Sequence, residues 1–185
     1  GDLYEKGLIK EIGLSNTGPK RLSFLYQKLK ERGIKITSIQ MQFSLLTKPT
    51  LEDEKIKNLC IEHNIEYLAY SPLALGILAI KPNKSPKPRT FLRQKLFQNI
   101  LPKTIELRKL LTNIGEKYSA SQAQVALNWI RSHGAKPIVG IRNPLQAKDA
   151  ISALNWSLTQ REKERLDFHR NSCLANMPQN PFTSP

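Results

Sequence analysis

The chain alternates four times between a short apolar run and a stretch with helical periodicity, which is its strongest constraint on the fold. The apolar runs, which predict strands, are residues 9–14, 36–43, 65–70 and 136–141. Helices are predicted at residues 19–32, 50–64, 102–118, 121–132, 143–153 and 159–170. Strands that each lead into a helix pair in parallel through right-handed crossovers. Four such units fit half of a (β/α)8 barrel or a small doubly wound sheet, and periodicity alone leaves both open.

Local signals mark several boundaries along the chain. Thr50 is a predicted N-cap followed by acidic residues, and Thr159 forms a predicted capping box with Glu162. Residues 73–98 are rich in proline, lysine and arginine, and they predict a long surface loop. We therefore expect one domain over residues 1–170 and an irregular tail at 171–185.

Charge and composition argue against several classes of partner. The formal net charge is +14, but the basic residues are spread along the chain without an interleaved aromatic platform. We therefore expect no nucleic-acid partner, and interpret the charge as a solvated surface that partly serves an anionic cofactor. The sequence has no run of about 18 apolar residues and its start lacks a signal-peptide layout, so we expect no membrane span.

Cysteine usage is typical of a reducing compartment. Cys60 and Cys173 lie far apart, and neither belongs to a CxxC or Cys/His spacing. We therefore expect a cytoplasmic protein with no disulfide and no metal site.

Four segments, each at a predicted strand end, carry a family resemblance. They are GLIKEIGLSN, SIQMQFSLL, YLAYSPLALGIL and KPIVGIRNPLQAKDA. In this order they resemble the second half of the aldo-keto reductase family, over about residues 7–166. The resemblance implies an α/β fold of (β/α)8 TIM-barrel type, of which this chain carries about the last four βα units, a C-terminal helix and the tail. It also implies NADP(H) bound without a Rossmann motif, and the sequence indeed lacks GxGxxG.

The resemblance assigns the nicotinamide end of the cofactor to three strand ends. Ser15, Asn16 and Gln40 match the residues that hydrogen-bond the carboxamide, a group that needs both donors and acceptors. Tyr70 matches the aromatic residue that stacks on the nicotinamide ring. Taken alone, Ser15 and Asn16 also fit a cap for the following helix, and Tyr70 also fits a core tyrosine.

The resemblance assigns the phosphate and adenosine groups to two later segments. Ser71, Leu73 and Gly76 match a loop that folds over the pyrophosphate, with an ordinary Ser-Pro turn as the alternative. The residues that match the adenosine end are Gly140, Arg142, Asn143 and Gln146. Arg142 is expected to bind the 2′-phosphate that distinguishes NADP from NAD, unless it is a solvated surface arginine. Where the family commonly has an asparagine facing the adenine, this chain has Ala150.

No residue of this chain is assigned to catalysis. The family takes its catalytic tyrosine, lysine, aspartate and histidine from the first half of the barrel. His63, His133 and His169 lie on or just past predicted helices, so we interpret them as structural or solvated.

The resemblance implies a parent enzyme that reduces a small-molecule aldehyde or ketone to an alcohol by hydride transfer. This chain would supply the cofactor half and be inactive alone. The alternative is a non-catalytic, nucleotide-binding or regulatory half-barrel. Because half a barrel leaves two unpaired strand edges, we expect the isolated chain to self-associate or to need the amino-terminal half.

Overall fold

The computed structural model of the chain describes residues 1–86, 88, 90–173 and 177–178. The strands are β1 (Ile12–Ser15), β2 (Ile36–Gln42), β3 (Glu66–Tyr70) and β4 (Lys136–Pro137). The helices are α1 (Asp2–Glu5), α2 (Pro19–Lys30), α3 (Leu51–Glu62), α4 (Phe91–Lys103), α5 (Ile105–Lys117), α6 (Gln122–Ser132), α7 (Pro144–Ser152) and α8 (Gln160–Ser172). Two 3-10 segments occupy Ala74–Ala79 and Ala153–Asn155.

The strands form one parallel sheet in the sequence order β1-β2-β3-β4. Ser15 pairs with Gln40 and Gln42 pairs with Tyr70, so the carboxyl ends of the first three strands lie side by side. β4 pairs with β3 over two residues, and the N–H of Ile138 adds one backbone bond to β3 at 2.8 Å. Within the part of the chain that the structure describes, β1 and β4 are therefore open edges.

One face of the sheet carries the core, and the other is only half-buried. On β2, Ile39 and Met41 are buried under the helices, whereas Ser38, Gln40 and Gln42 point to the opposite face and stay half-buried. Such alternation is expected where a sheet has a single covered face. The arrangement fits a barrel, whose helices cover only the outside, better than a doubly wound sheet, which is covered on both faces.

A buried aromatic cluster joins the end of β2 to α6 and α8. Trp129 is fully buried and stacks on Phe43 with ring centroids 5.0 Å apart. Its indole N–H donates to the Asp167 carboxylate at 2.8 Å, and the same oxygen lies 2.9 Å from Nε2 of His133. Burial lowers the pKa of His133 to about 4, although Asp167 acts in the opposite direction. His133 is therefore a neutral packing residue at pH 7.

The stretch predicted as a long loop, residues 73–98, is instead partly helical. Ala74–Ala79 forms 3-10 turns and α4 begins at Phe91. In α4, Phe97, Ile100 and Leu101 are buried, and this apolar contact outweighs a proline-rich, basic composition. The helix predicted at 102–118 is also divided, because α4 ends at Lys103 and α5 begins at Ile105.

Two further expectations differ from the structure at their ends. The fourth predicted strand, residues 136–141, is paired as a strand only over Lys136–Pro137. Of the predicted irregular tail, residues 171 and 172 continue α8, and residues 174–176 and 179–185 lie outside the described residues. Among the helices that are described, none is both long enough and apolar enough to cross a membrane.

Candidate functional site

A cleft of about 790 Å³ opens beyond the carboxyl ends of β3 and β4. Its walls come from the segment after β3, the first turn of α4, one side of α6 and the segment that leads into α7. The predicted site residues that line it are Tyr70, Ser71, Leu73, Gly76, Gly140, Arg142 and Gln146. The carboxyl-terminal end of the strands is where barrels of this type bind their ligands.

The segment after β3 forms a turn with an unusual backbone. Ser71, Ala74 and Leu75 have positive φ angles of 52°, 47° and 57°, and Gly76 follows at 91°. A left-handed conformation costs a non-glycine residue roughly 1–2 kcal/mol, and such strain concentrates at ligand sites. The N–H of Gly76 donates to the Leu73 carbonyl at 2.8 Å. The turn is therefore shaped in advance by its own backbone bonds.

Tyr70 connects the cleft to the ends of the two preceding strands. Its hydroxyl donates to the side-chain oxygen of Asn16 at 2.8 Å. Asn16 has a φ of 50°, its N–H donates to the Gln40 carbonyl at 3.0 Å, and its side-chain amide donates to Ser15 at 3.2 Å. The N-cap of α2 is Gly18, so Ser15 and Asn16 do not cap that helix. All four predicted nicotinamide residues thus lie in one hydrogen-bonded group.

The segment before α7 presents Arg142 at the mouth of the cleft. Asn143 caps α7 by accepting the Gln146 N–H at 2.9 Å, and the Gln146 side chain accepts the Arg142 N–H at 2.8 Å. These bonds fix the backbone of Arg142. Its side chain is exposed and forms no ion pair with any residue that the structure describes. The guanidinium is therefore available to an anionic ligand.

Two charged residues that line the cleft were missed by sequence reasoning. Arg93 lies in the first turn of α4, inside a stretch whose basic residues were interpreted as solvated. Asp149 lies three residues after Gln146 on α7, a helical spacing that could have revealed it. Its carboxylate accepts hydrogen bonds from Ser121 at 2.8 Å and Gln124 at 2.7 Å.

None of the three histidines lines the cleft. His63 stacks on Tyr26 with ring centroids 3.8 Å apart, His133 belongs to the aromatic cluster, and His169 lies on α8. In the described part of the chain, no group of three or more histidine, cysteine, aspartate or glutamate side chains could hold a metal ion.

Comparison with known proteins places the chain in a family. The aldo/keto reductase family model matches residues 1–171. The chain is 39% identical over 180 residues to the chloroplastic pyridoxal reductase of Arabidopsis thaliana, covering 97% of this chain and 49% of that protein. It is 30% identical over 166 residues to the NADPH-dependent alpha-keto amide reductase of Saccharomyces cerevisiae, covering 89% of this chain and 45% of that protein.

Solved structures show the same fold. The glycerol dehydrogenase of Gluconobacter oxydans matches with a TM-score of 0.77 at 23% identity, covering 100% of this chain and 55% of that chain. The aldose reductase of Schistosoma japonicum matches with a TM-score of 0.64 at 18% identity, covering 98% and 46%. The chain spans about half the length of the relatives that it matches. It belongs to the aldo/keto reductase family and folds as half of that family's (β/α)8 barrel.

Proposed function

We propose that this chain is the cofactor-binding half of an NADP(H)-dependent oxidoreductase that reduces aldehydes or ketones to alcohols. The main support for the proposal is that seven of the eleven expected cofactor residues line one and the same cleft. Membership of the aldo/keto reductase family and the NADPH dependence named for the yeast relative support the same activity.

The side chains of the cleft and of the adjoining strand ends suit the chemical parts of NADP(H). Tyr70 offers an aromatic face to the nicotinamide, and Asn16 and Gln40 supply amides for its carboxamide. Ser71 and the backbone of the strained turn suit phosphate oxygens. Arg142 suits a 2′-phosphate through paired, charge-assisted hydrogen bonds. The bound cofactor would supply a hydride, and the residues of this chain would hold and orient it.

We infer that the proton of the reaction is donated from outside this chain. The family resemblance places the catalytic tyrosine, lysine, aspartate and histidine in the half of the barrel that precedes these strands. This chain would therefore bind the cofactor without turnover. If the full-length protein also binds NADPH without turnover, the alternative of a non-catalytic nucleotide-binding protein is correct.

The Arg142→Ala variant tests the cofactor assignment. Loss of a charge-assisted contact should weaken NADPH binding by about 10-fold or more and leave NADH binding unchanged. Fluorescence titration of both cofactors, with the amino-terminal half supplied, measures this. Lys148→Ala is the matched control, because Lys148 is exposed on α7 and does not line the cleft. Equal losses for the two cofactors would rule out the phosphate role.

The substrate is tested separately from the cofactor. Pyridoxal is the first carbonyl compound to assay, because the relative at 39% identity is named a pyridoxal reductase. NADPH oxidation should be observed with the full-length protein and not with this chain alone. Turnover by the isolated chain would contradict the assignment of proton donation to the other half.

A further inference from the structure

Arg93 is a second arginine in the wall of the cleft that contains Arg142. It lies in the first turn of α4, directly after the proline-rich segment. The resemblance assigned it no role. Its contacts differ from those of Arg142. The Arg142 side chain is exposed, and within the described part of the chain only the backbone N–H of that residue forms a hydrogen bond, to Gln146.

The guanidinium of Arg93 contacts the strained turn after β3. Its Nη2 donates to the carbonyl of Leu75, which lies between the left-handed residues Ala74 and Gly76. On the other side, the guanidinium lies over the ring of Phe97, with its central carbon 5.3 Å from the ring centroid. Phe97 is buried in the core. Arg93 therefore links α4 to the turn with the positive φ angles.

Arg93 also has unused donors. A guanidinium carries five N–H groups, and the one hydrogen bond formed within the described residues is the bond to Leu75. Its Nε is buried and has no hydrogen-bond partner there. This Nε is out of reach of a ligand, but the guanidinium lines the cleft and its remaining N–H groups can serve a ligand there. A phosphate group suits this position, because its oxygens can accept two parallel hydrogen bonds from a guanidinium.

We propose that Arg93 positions the turn Leu73–Gly76 and donates to the 5′-phosphates of the nucleotide. The inference rests on the proposed function, since it takes the cleft to be the nucleotide site. It assigns different phosphates to the two arginines. Arg142 binds the 2′-phosphate and so selects between NADP and NAD, whereas Arg93 binds the part that both cofactors share.

The test is calorimetric titration of this chain, with the amino-terminal half supplied, with 5′-AMP and with 2′,5′-ADP, which differ only in the 2′-phosphate. Arg93→Met, which keeps an apolar contact with Phe97, should weaken binding of both nucleotides at least about 10-fold. The ratio between the two nucleotides should stay unchanged. Arg142→Met should instead remove the preference for 2′,5′-ADP. Lys95→Met is the control, because Lys95 is exposed on α4 and lies outside the cleft.

Hydrogen exchange measures the positioning role without any ligand. The N–H groups of Ala74 and Gly76 bond to carbonyls within the turn, at 2.9 and 2.8 Å. Their exchange should become faster in Arg93→Met than in Lys95→Met, and Arg93→Lys should restore part of the protection.

The outcomes separate this inference from the proposed function. If the wild-type chain, with the amino-terminal half supplied, binds neither nucleotide, the proposed function and the phosphate role both fail, while exchange still decides the positioning role. If it binds both, and Arg93→Met matches Lys95→Met in affinity and exchange, only the role of Arg93 is overturned. Should Arg93→Met fail to fold, Arg93→Gln, which removes the charge, replaces it, and wild-type affinity and exchange in that variant would overturn the inference.

Discussion

Tyr70 is the residue at which the two ends of the candidate site meet, since it lines the cleft and donates its hydroxyl to Asn16. Tyr70→Ala should weaken NADPH binding by roughly 0.5–1.5 kcal/mol, the amount expected from loss of aromatic stacking. Tyr70→Phe keeps the ring and should lose less affinity. Cofactor titration of both variants measures the difference. An unchanged dissociation constant in Tyr70→Ala would contradict the stacking role.

His133 should make the chain sensitive to mild acid. Its pKa is about 4 in the folded chain, because burial, together with Lys57 and Lys163, outweighs Asp167. In the unfolded chain the ordinary pKa is about 6.5, so the unfolded state binds the proton first as the pH falls. The contribution to stability is therefore present above pH ~6.5 and lost as the pH falls toward ~4.

Urea unfolding at two pH values tests this. Between pH ~7.5 and ~5, the free energy of unfolding should fall by about 2 kcal/mol through His133 alone. His133→Asn removes the titrating group and should flatten that part of the pH dependence. The same pH dependence in variant and wild type would show that other groups cause it.

At the scale of elements, α8 depends on its first turn. Thr159 accepts from the Glu162 N–H at 3.3 Å, and the Glu162 carboxylate accepts from the Thr159 N–H at 3.1 Å and the Tyr118 hydroxyl at 2.8 Å. Thr159→Ala should lower the free energy of unfolding by about 1 kcal/mol, as typical for an N-cap. Thr159→Ser retains the capping oxygen and should stay close to wild type. Thermal unfolding compares the two variants.

The elements also show what a single sequence can predict. The end of β3 was predicted correctly and that of β2 to within one residue, because apolar period-two runs stop at polar or Ser-Pro sequences. Gln40 and Tyr70 were assigned from the family resemblance. The N-cap at Thr50 and the capping box of Thr159 with Glu162 were predicted for the same local reason, and both are confirmed. α4 was missed although six of its thirteen residues are apolar, because the proline-rich, basic composition before it was extended to residue 98 and Pro102 was interpreted as the start of the next helix. Arg93 was missed with it.

At the scale of the molecule, the open edges of β1 and β4 should drive association. In a complete barrel, further strands pair with these edges and their side chains fill the space next to the half-buried inner face. The isolated chain should therefore form dimers or larger aggregates, which sedimentation velocity would detect. Adding the amino-terminal half should convert them into a single species. A monodisperse monomer with cooperative unfolding would show that the half-barrel is a complete folding unit.

All the residues that line the cleft fall between Tyr70 and Ala150, in one uninterrupted stretch of the chain. A gene segment that encodes this stretch can be inherited or exchanged as a single piece. Ser15, Asn16 and Gln40 lie upstream of it. A recombination event just before β3 would therefore transfer the residues of this cleft to another family member and leave that protein's own strands upstream of β3 in place. Under the proposed function, the residues that select between NADP and NAD would then evolve separately from those upstream strands.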